Sequence, residues 1–313
     1  MKIFVDGSKR AAIKRMFPFW EKMGHKIVVS PQEANIQLSV IRIRHKIKGV
    51  PVVVRLDGVY YDRGGRYKRN NSSLKRSHLK ANGIIYQSDF SRLMCETYLG
   101  KRGAKHFTVI HNGINPKGWD NPIEHKNVNI MSCAKWRRPK RLPELIEIFD
   151  GIKKHIPEAK LHVVGKFKKG GRKIPHKDVI YHGLVDHDKM AEIYRVGDLY
   201  IHLCKRDSCP STVVEAMAAG IPVITTNACG GATEMCRLSE GCVIVGGEDN
   251  DIGPVFVYKD DFHKISRDFR NRFVKNSVYL IREKRRIVVP ESLLAVNAAK
   301  KYIEFFEKVL SEK

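Results

Sequence analysis

Two acids in the stretch RDSCPSTVVEAMAAGIPVITTNACGG (206–231), Asp207 and Glu215, have the chemistry to hold a polyhydroxylated ligand. Carboxylates accept hydrogen bonds from hydroxyls, which makes sugar and ribose rings their natural targets. Between the acids lies a polar turn, and Ser211 or Thr212 is placed to cap a helix, VVEAMAAG, that Gly220 and Pro222 terminate. The free N–H groups and the dipole at the start of that helix suit a diphosphate without any glycine-rich loop. Glu215 falls about one turn inside the helix and Asp207 in the loop before it, so the two carboxylates address different parts of one ligand.

Such a loop needs a strand to deliver it. DLYIHL (198–203) precedes it, one of a series of short β-branched runs. KIFVD (2–6), KIVVS (26–30), NIQLSVI (35–41), PVVVRL (51–56), GIIYQ (83–87) and HFTVI (106–110) form a first set. VNIMSC (128–133), KLHVVG (160–165), DVIYH, DLYIHL, IPVIT (221–225) and CVIVG (242–246) form a second. Most are apolar on both faces, as parallel strands covered by helices on two sides require. The expected fold is α/β with two Rossmann-like domains, whose ligands bind beyond the carboxyl ends of the strands. The polar, Pro- and Gly-containing stretch 111–127 is the expected linker, and 291–310 reads as an amphipathic terminal helix. The expected boundaries are 1–118 for the first domain, 119–288 for the second and 289–313 for the terminal helix.

The usual nucleotide signatures fail. No G-x-G-x-x-G follows the first strand, and GKFKKGGRK (165–173) lacks the G-K-[ST] ending of a phosphate-binding loop. A simple dehydrogenase and a P-loop NTPase are therefore set aside.

The D-x7-E spacing, followed by AMAAGIPVITT and then Gly230-Gly231, resembles the E-x7-E segment of family 4 retaining glycosyltransferases of the GT-B fold. VIHNGIN (109–115), GDLYIHLCKRD and SCAKWRRPKRLPELIEIF (132–149) resemble further segments of that family in the same order, over about residues 80–246. The resemblance implies two domains facing across a cleft, with the last helix returning to the first domain. It implies a nucleoside-diphosphate sugar as donor substrate with no cofactor or metal, and transfer with retention to an acceptor hydroxyl. Carried over position by position, Glu215 meets the ribose, Asp207 the sugar, and Lys135 and Lys140 neutralise the diphosphate. Pro210, Ser211, Thr212, Asn112, Gly113 and Gly183 line the donor. The chain departs from the pattern at three places. Asp207 replaces the usual first glutamate, Arg141 replaces the glycine after the lysine, and Asp57 stands where many members have a histidine near the reacting carbon. As a turn, Asn112-Gly113 expects positive φ at the glycine.

The net charge is +25, of which +16 lies in residues 1–120. A field of that size favours a polyanionic partner, either an anionic membrane carrying a glycolipid or a nucleic acid. The glycan or glycolipid acceptor ranks first, with Phe17, Phe19 and Trp20 as aromatics available at a membrane interface. A hydroxylated base in DNA ranks second, with the basic loop 63–80 and Tyr60, Tyr61 and Tyr67 available for stacking. A nucleotide-sugar epimerase and a catalytically silent nucleic-acid-binding protein remain as alternatives. The seven cysteines are scattered through apolar stretches without C-x-x-C, and the thirteen histidines show neither H-x-x-x-H nor H-E-x-x-H. Reduced structural thiols and no metal are expected. With no run of 18 apolar residues and no signal-peptide core, the expected location is cytoplasmic, with peripheral membrane contact left open.

Overall fold

All twelve β-branched runs are strands in the computed structural model, which describes residues 1–7, 11–60, 67–168, 171–247 and 265–311, except the side chains of Tyr67 and Lys68. The chain divides into two compact units. Among the described residues, the first comprises those within 1–115 and 291–311, and the second those within 116–247 and 265–290.

In the first unit, β1 (Lys2–Asp6), β2 (Lys26–Val28), β3 (Ile36–Val40), β4 (Val52–Leu56), β5 (Gly83–Tyr86) and β6 (His106–Val109) form one sheet. Its order is β2-β1-β3-β4-β5-β6, and every pairing is parallel. β3, β4 and β5 are buried along their whole length, which explains their unbroken apolar runs. α1 (Ala11–Lys14), α2 (Phe17–Lys22), α3 (Tyr67–Lys80) and α4 (Asp89–Leu99) join them.

The second unit repeats the plan. β7 (Asn129–Cys133), β8 (Lys160–Val164), β9 (Val179–Gly183), β10 (Leu199–His202), β11 (Val223–Thr226) and β12 (Val243–Val245) form a parallel sheet of order β12-β11-β10-β7-β8-β9. Its helices are α5 (Leu142–Lys153), α6 (His187–Arg195), α7 (Ser211–Ala218), α8 (Gly231–Arg237) and α9 (Arg267–Arg282). The second half of the expected linker is not a free connector. Trp119 is buried, with its ring edge-on to Tyr194 at 5.6 Å.

The terminal helix α10 (Ala295–Ser311) lies within the first unit, with its apolar face buried there. Trp20 of α2 is fully buried, donates from Nε1 to the Ala299 carbonyl at 3.1 Å, and lies against Tyr302 and Phe306. Phe17 and Phe19 pack on the same core. These aromatics therefore hold α10 down, and the expectation that they serve a membrane interface is corrected. An aromatic at helical spacing has the same sequence appearance in either role.

The basic stretch 63–80 is also different from the expected loop. Its described part, from residue 67, is a helix of 14 residues, whereas residues 63–66 and Tyr61 lie outside the described residues. The buried face of α3 is Asn71, Leu74, Ser77 and His78, a helical stripe disguised by polar residues. Each polar member fastens a neighbour. Asn71 accepts from the Tyr60 N–H and donates to its carbonyl, Ser77 Oγ accepts from the Ile43 N–H, and His78 Nε2 lies 2.8 Å from Tyr86 Oη.

Burial, followed by the nearby Arg102 charge, pushes the His78 pKa down to about 4. A base with a depressed folded pKa binds its proton more readily when unfolded, so its contribution is complete above the unfolded value of about 6.5 and is lost as pH falls towards 4. We expect His78→Gln to flatten the pH dependence of the urea midpoint between pH 6.5 and 4, by at most about 3 kcal/mol at the acid end. Parallel curves for the two proteins would refute this. Among the described residues, no helix is long and apolar enough to cross a membrane.

Candidate functional site

The loop after β10 owes its shape to lacing with two other loops of the second unit. Lys205 N–H donates to the Pro139 carbonyl at 3.1 Å, Arg206 N–H to Ala228 at 3.0 Å, and Asp207 N–H to Cys229 at 3.0 Å, while Gly231 N–H donates back to Asp207 at 2.8 Å. Arg206 turns the chain with φ of 61°, a left-handed conformation that costs a side-chain-bearing residue about 1–2 kcal/mol. Gly231 is required by close approach, because a Cβ there would sit 1.8 Å from the Ser208 carbonyl oxygen. Gly230 precedes it with φ of 66° as the residue before α8.

The helix that follows begins at Ser211, two residues before the expected VVEAMAAG. Pro210, not Ser211 or Thr212, is its cap residue; Ser211 and Thr212 are its first two helical positions, and no side chain caps this end. Proline fits because its fixed φ, here −71°, suits the extended entry. Pro210 offers no capping hydroxyl, Val213 N–H donates to the Pro210 carbonyl at 3.1 Å, and the positive end of the helix dipole lies at this loop.

Asp207 is engaged from the other side. Lys140, 67 residues earlier in a short 3₁₀ turn (Arg138–Lys140), places Nζ 2.5 Å from Asp207 Oδ2, with 15% and 21% of the two side chains exposed. Burial alone would raise the Asp207 carboxyl, but Lys140 and His202 outweigh it and hold it well below the usual carboxylate range. Burial would likewise lower Lys140, and Asp207 reverses this to hold it charged. Arg141 is buried with φ of 54°. The position at which the resemblance has glycine is left-handed in this chain, a conformation that glycine adopts most readily.

Around the pair, Arg141, Lys205 and Arg206 are buried, and Glu215 is the next acid along the chain after Asp207. Glu215 is buried in α7 at 7% exposure. Lys135 is exposed, in a segment anchored by Trp136, whose Nε1 donates to the Val164 carbonyl at 2.8 Å. Gly183 ends β9 with φ of 70°, and its carbonyl accepts from the Gly165 N–H. Gly165 itself was missed by motif reading. A Cβ there would meet the Ala134 carbonyl oxygen at 2.0 Å, and its only sequence signal is a glycine ending the run KLHVVG. Buried Lys205 and Arg206, and the neighbours His202 and Cys204, were missed as well, since a basic loop normally faces solvent.

The other three candidates belong to the first unit, where one buried cation organises two of them. Arg55 donates from Nη1 to Asp57 at 2.9 Å and from Nη2 to Asn112 Oδ1 at 2.7 Å, and Gln87 Nε2 also donates to Asp57. Gly113 does not have the positive φ expected of it. Its lack of a side chain admits α10, since a Cβ would lie 2.7 Å from the Ala295 Cα. Six of the seven cysteines are buried and Cys242 is half-buried, all as free thiols.

Against known proteins, residues 117–253 match the family model described as glycosyl transferases group 1. No curated protein matches the chain significantly. Among solved structures, HepE from Anabaena with UDP and glucose is similar, with 13% identity over 98% of this chain and 99% of that one and a TM-score of 0.62. WaaG, a glycosyltransferase involved in lipopolysaccharide biosynthesis, gives 13% identity, 96% and 99% coverage and a TM-score of 0.59. A glycosyltransferase from Rickettsia africae gives 14%, 100%, 99% and 0.60. Residues 117–253 thus match the group 1 glycosyl transferases, and the two parallel six-stranded sheets share the GT-B fold of these solved structures.

Proposed function

We propose that the chain transfers a sugar from a nucleoside-diphosphate sugar to an acceptor hydroxyl with retention of configuration. The Lys140–Asp207 pair beside the uncapped start of α7 is the observation that carries this reading. A diphosphate at the helix N-terminus would meet the dipole of α7 and the Lys140 ammonium beside it. Lys135 and Lys140 hold the diphosphate, Glu215 accepts from the ribose hydroxyls and Asp207 accepts from the sugar. As the bond to the sugar breaks, negative charge grows on the leaving diphosphate. Fixed cations and helix N–H groups already aimed there stabilise that charge without reorganisation, by several kcal/mol. HepE was solved with UDP and glucose, which favours UDP as the donor nucleotide.

Calorimetry with UDP- and GDP-sugars tests the assignment. Glu215→Ala would leave the ribose hydroxyls without an acceptor and is expected to weaken donor binding by roughly 1–3 kcal/mol. Unchanged affinity would remove Glu215 from the site.

The acceptor we propose is a glycan or glycolipid at an anionic surface. The exposed face of α3 carries Arg69, Lys75, Arg76 and Lys80, the helix contains no acid, and Lys101 and Lys105 are exposed in the same unit. The WaaG likeness agrees with a glycolipid. Salt-sensitive sedimentation with anionic liposomes is expected, and retention by duplex DNA alone would instead favour the nucleic-acid acceptor.

A further inference from the structure

Strand β10 and the loop after it bring together three donor atoms of different chemistry. His202, Cys204 and Asp207 each offer one, and these lie within 4.8 Å of one another. His202 is 97% buried, its exposure being 3%, and its Nε2 makes no hydrogen bond; the facing Asp207 Oδ2 is 3.6 Å away, beyond hydrogen-bond reach. A buried imidazole nitrogen in that state makes no hydrogen bond and has only a long electrostatic contact with the carboxylate it faces. That carboxylate already holds one cation, the Lys140 ammonium.

We propose that His202, Cys204 and Asp207 form a site for a divalent transition-metal ion of the zinc type, which takes the place of Lys140 as the cation on Asp207. Imidazole nitrogen, thiolate sulfur and carboxylate oxygen are the ligand set of zinc, whereas calcium and magnesium take oxygen ligands. Three protein ligands leave a fourth tetrahedral position to solvent. The metal binds the Cys204 sulfur as the S–H proton leaves to solvent, so one proton is released per ion from this thiol. Because burial pushes the Cys204 thiol up to about 12, that proton is present before metal arrives. Occupancy and the Lys140–Asp207 bond exclude one another, so the ion acts as an antagonist of the proposed donor site and not as its cofactor. Metal binding is itself independent of that functional reading.

The test is titration of the full chain with Co²⁺, followed by displacement with Zn²⁺. A thiolate-to-cobalt charge-transfer band that saturates at one equivalent is expected in the wild type. His202→Gln and Cys204→Ser should each weaken zinc binding by roughly tenfold or more. Lys140→Met, which removes the competing cation, should strengthen it, and Cys242→Ser should leave it unchanged. Absence of the thiolate band in the wild-type protein overturns the proposal, as does a band that survives in Cys204→Ser or is lost in Cys242→Ser. The wild-type spectrum decides even where a variant fails to fold.

Discussion

Lys140→Met is expected to destabilise the chain by about 3 kcal/mol and to abolish measurable binding of a UDP-sugar. The substitution keeps the volume and removes the charge, so the Asp207 carboxylate stays in place without its cation. Breaking a buried pair costs about 3–5 kcal/mol, and the lower end applies because part of each side chain remains exposed. The pH dependence identifies the cause. Asp207 has a folded pKa below its unfolded value, so the pair's contribution is complete above about pH 4 and is lost on acidification. The stability gap between wild type and variant should therefore close as pH falls below about 4. Adding Asp207→Asn should restore much of the stability and none of the donor binding, since it removes the orphaned charge and a sugar acceptor together. An unchanged urea midpoint together with unchanged UDP-sugar affinity would dispose of both roles for Lys140.

Gly231→Ala is the second large effect, and it acts through backbone alone. The new methyl would lie 1.8 Å from the Ser208 carbonyl oxygen and 2.6 Å from its carbon, so the collision cannot be relieved by rotating a side chain. The loop 206–208 must move away from 228–231. That movement breaks the Gly231 N–H bond to the Asp207 carbonyl and carries Asp207 with it. Overpacking of this kind costs about 1–3 kcal/mol in stability, and the upper end is expected because both sides are main chain. Donor affinity should fall further than stability, since Asp207 and the start of α7 are displaced together. A folded variant with wild-type donor affinity would show that the loop tolerates the shift. Gly183→Ala offers the contrast. Nothing lies within 4 Å of a Cβ there, so only its positive φ resists substitution, and a cost of about 1–2 kcal/mol is expected without loss of the Asp207 geometry.

The sequence by itself determined what depends on short-range pattern. Runs such as VVVRL and LYIH are apolar on both faces because their strands lie inside parallel sheets, and that burial leaves no polar alternation to obscure them. The spacing of Asp207 and Glu215 across a strand–loop–helix junction was equally legible, being set within ten residues. Only the tertiary structure decided the rest. The partner of Asp207 lies 67 residues away, and no local rule distinguishes Lys140 from the neighbouring Arg137 and Arg138. Pro210 took the cap position because the entry conformation of the loop outweighed the hydroxyl preference of Ser211 and Thr212. α3 was hidden because its buried face binds loops through Asn71, Ser77 and His78 instead of packing on apolar neighbours alone. Trp20 and its aromatic neighbours have the same spacing whether they meet a membrane or another helix, and α10, nearly 280 residues later, settled the choice. Gly113 and Gly231 look like turn glycines, yet both are required by a backbone approaching from elsewhere in the chain, a constraint that exists only once the fold has closed.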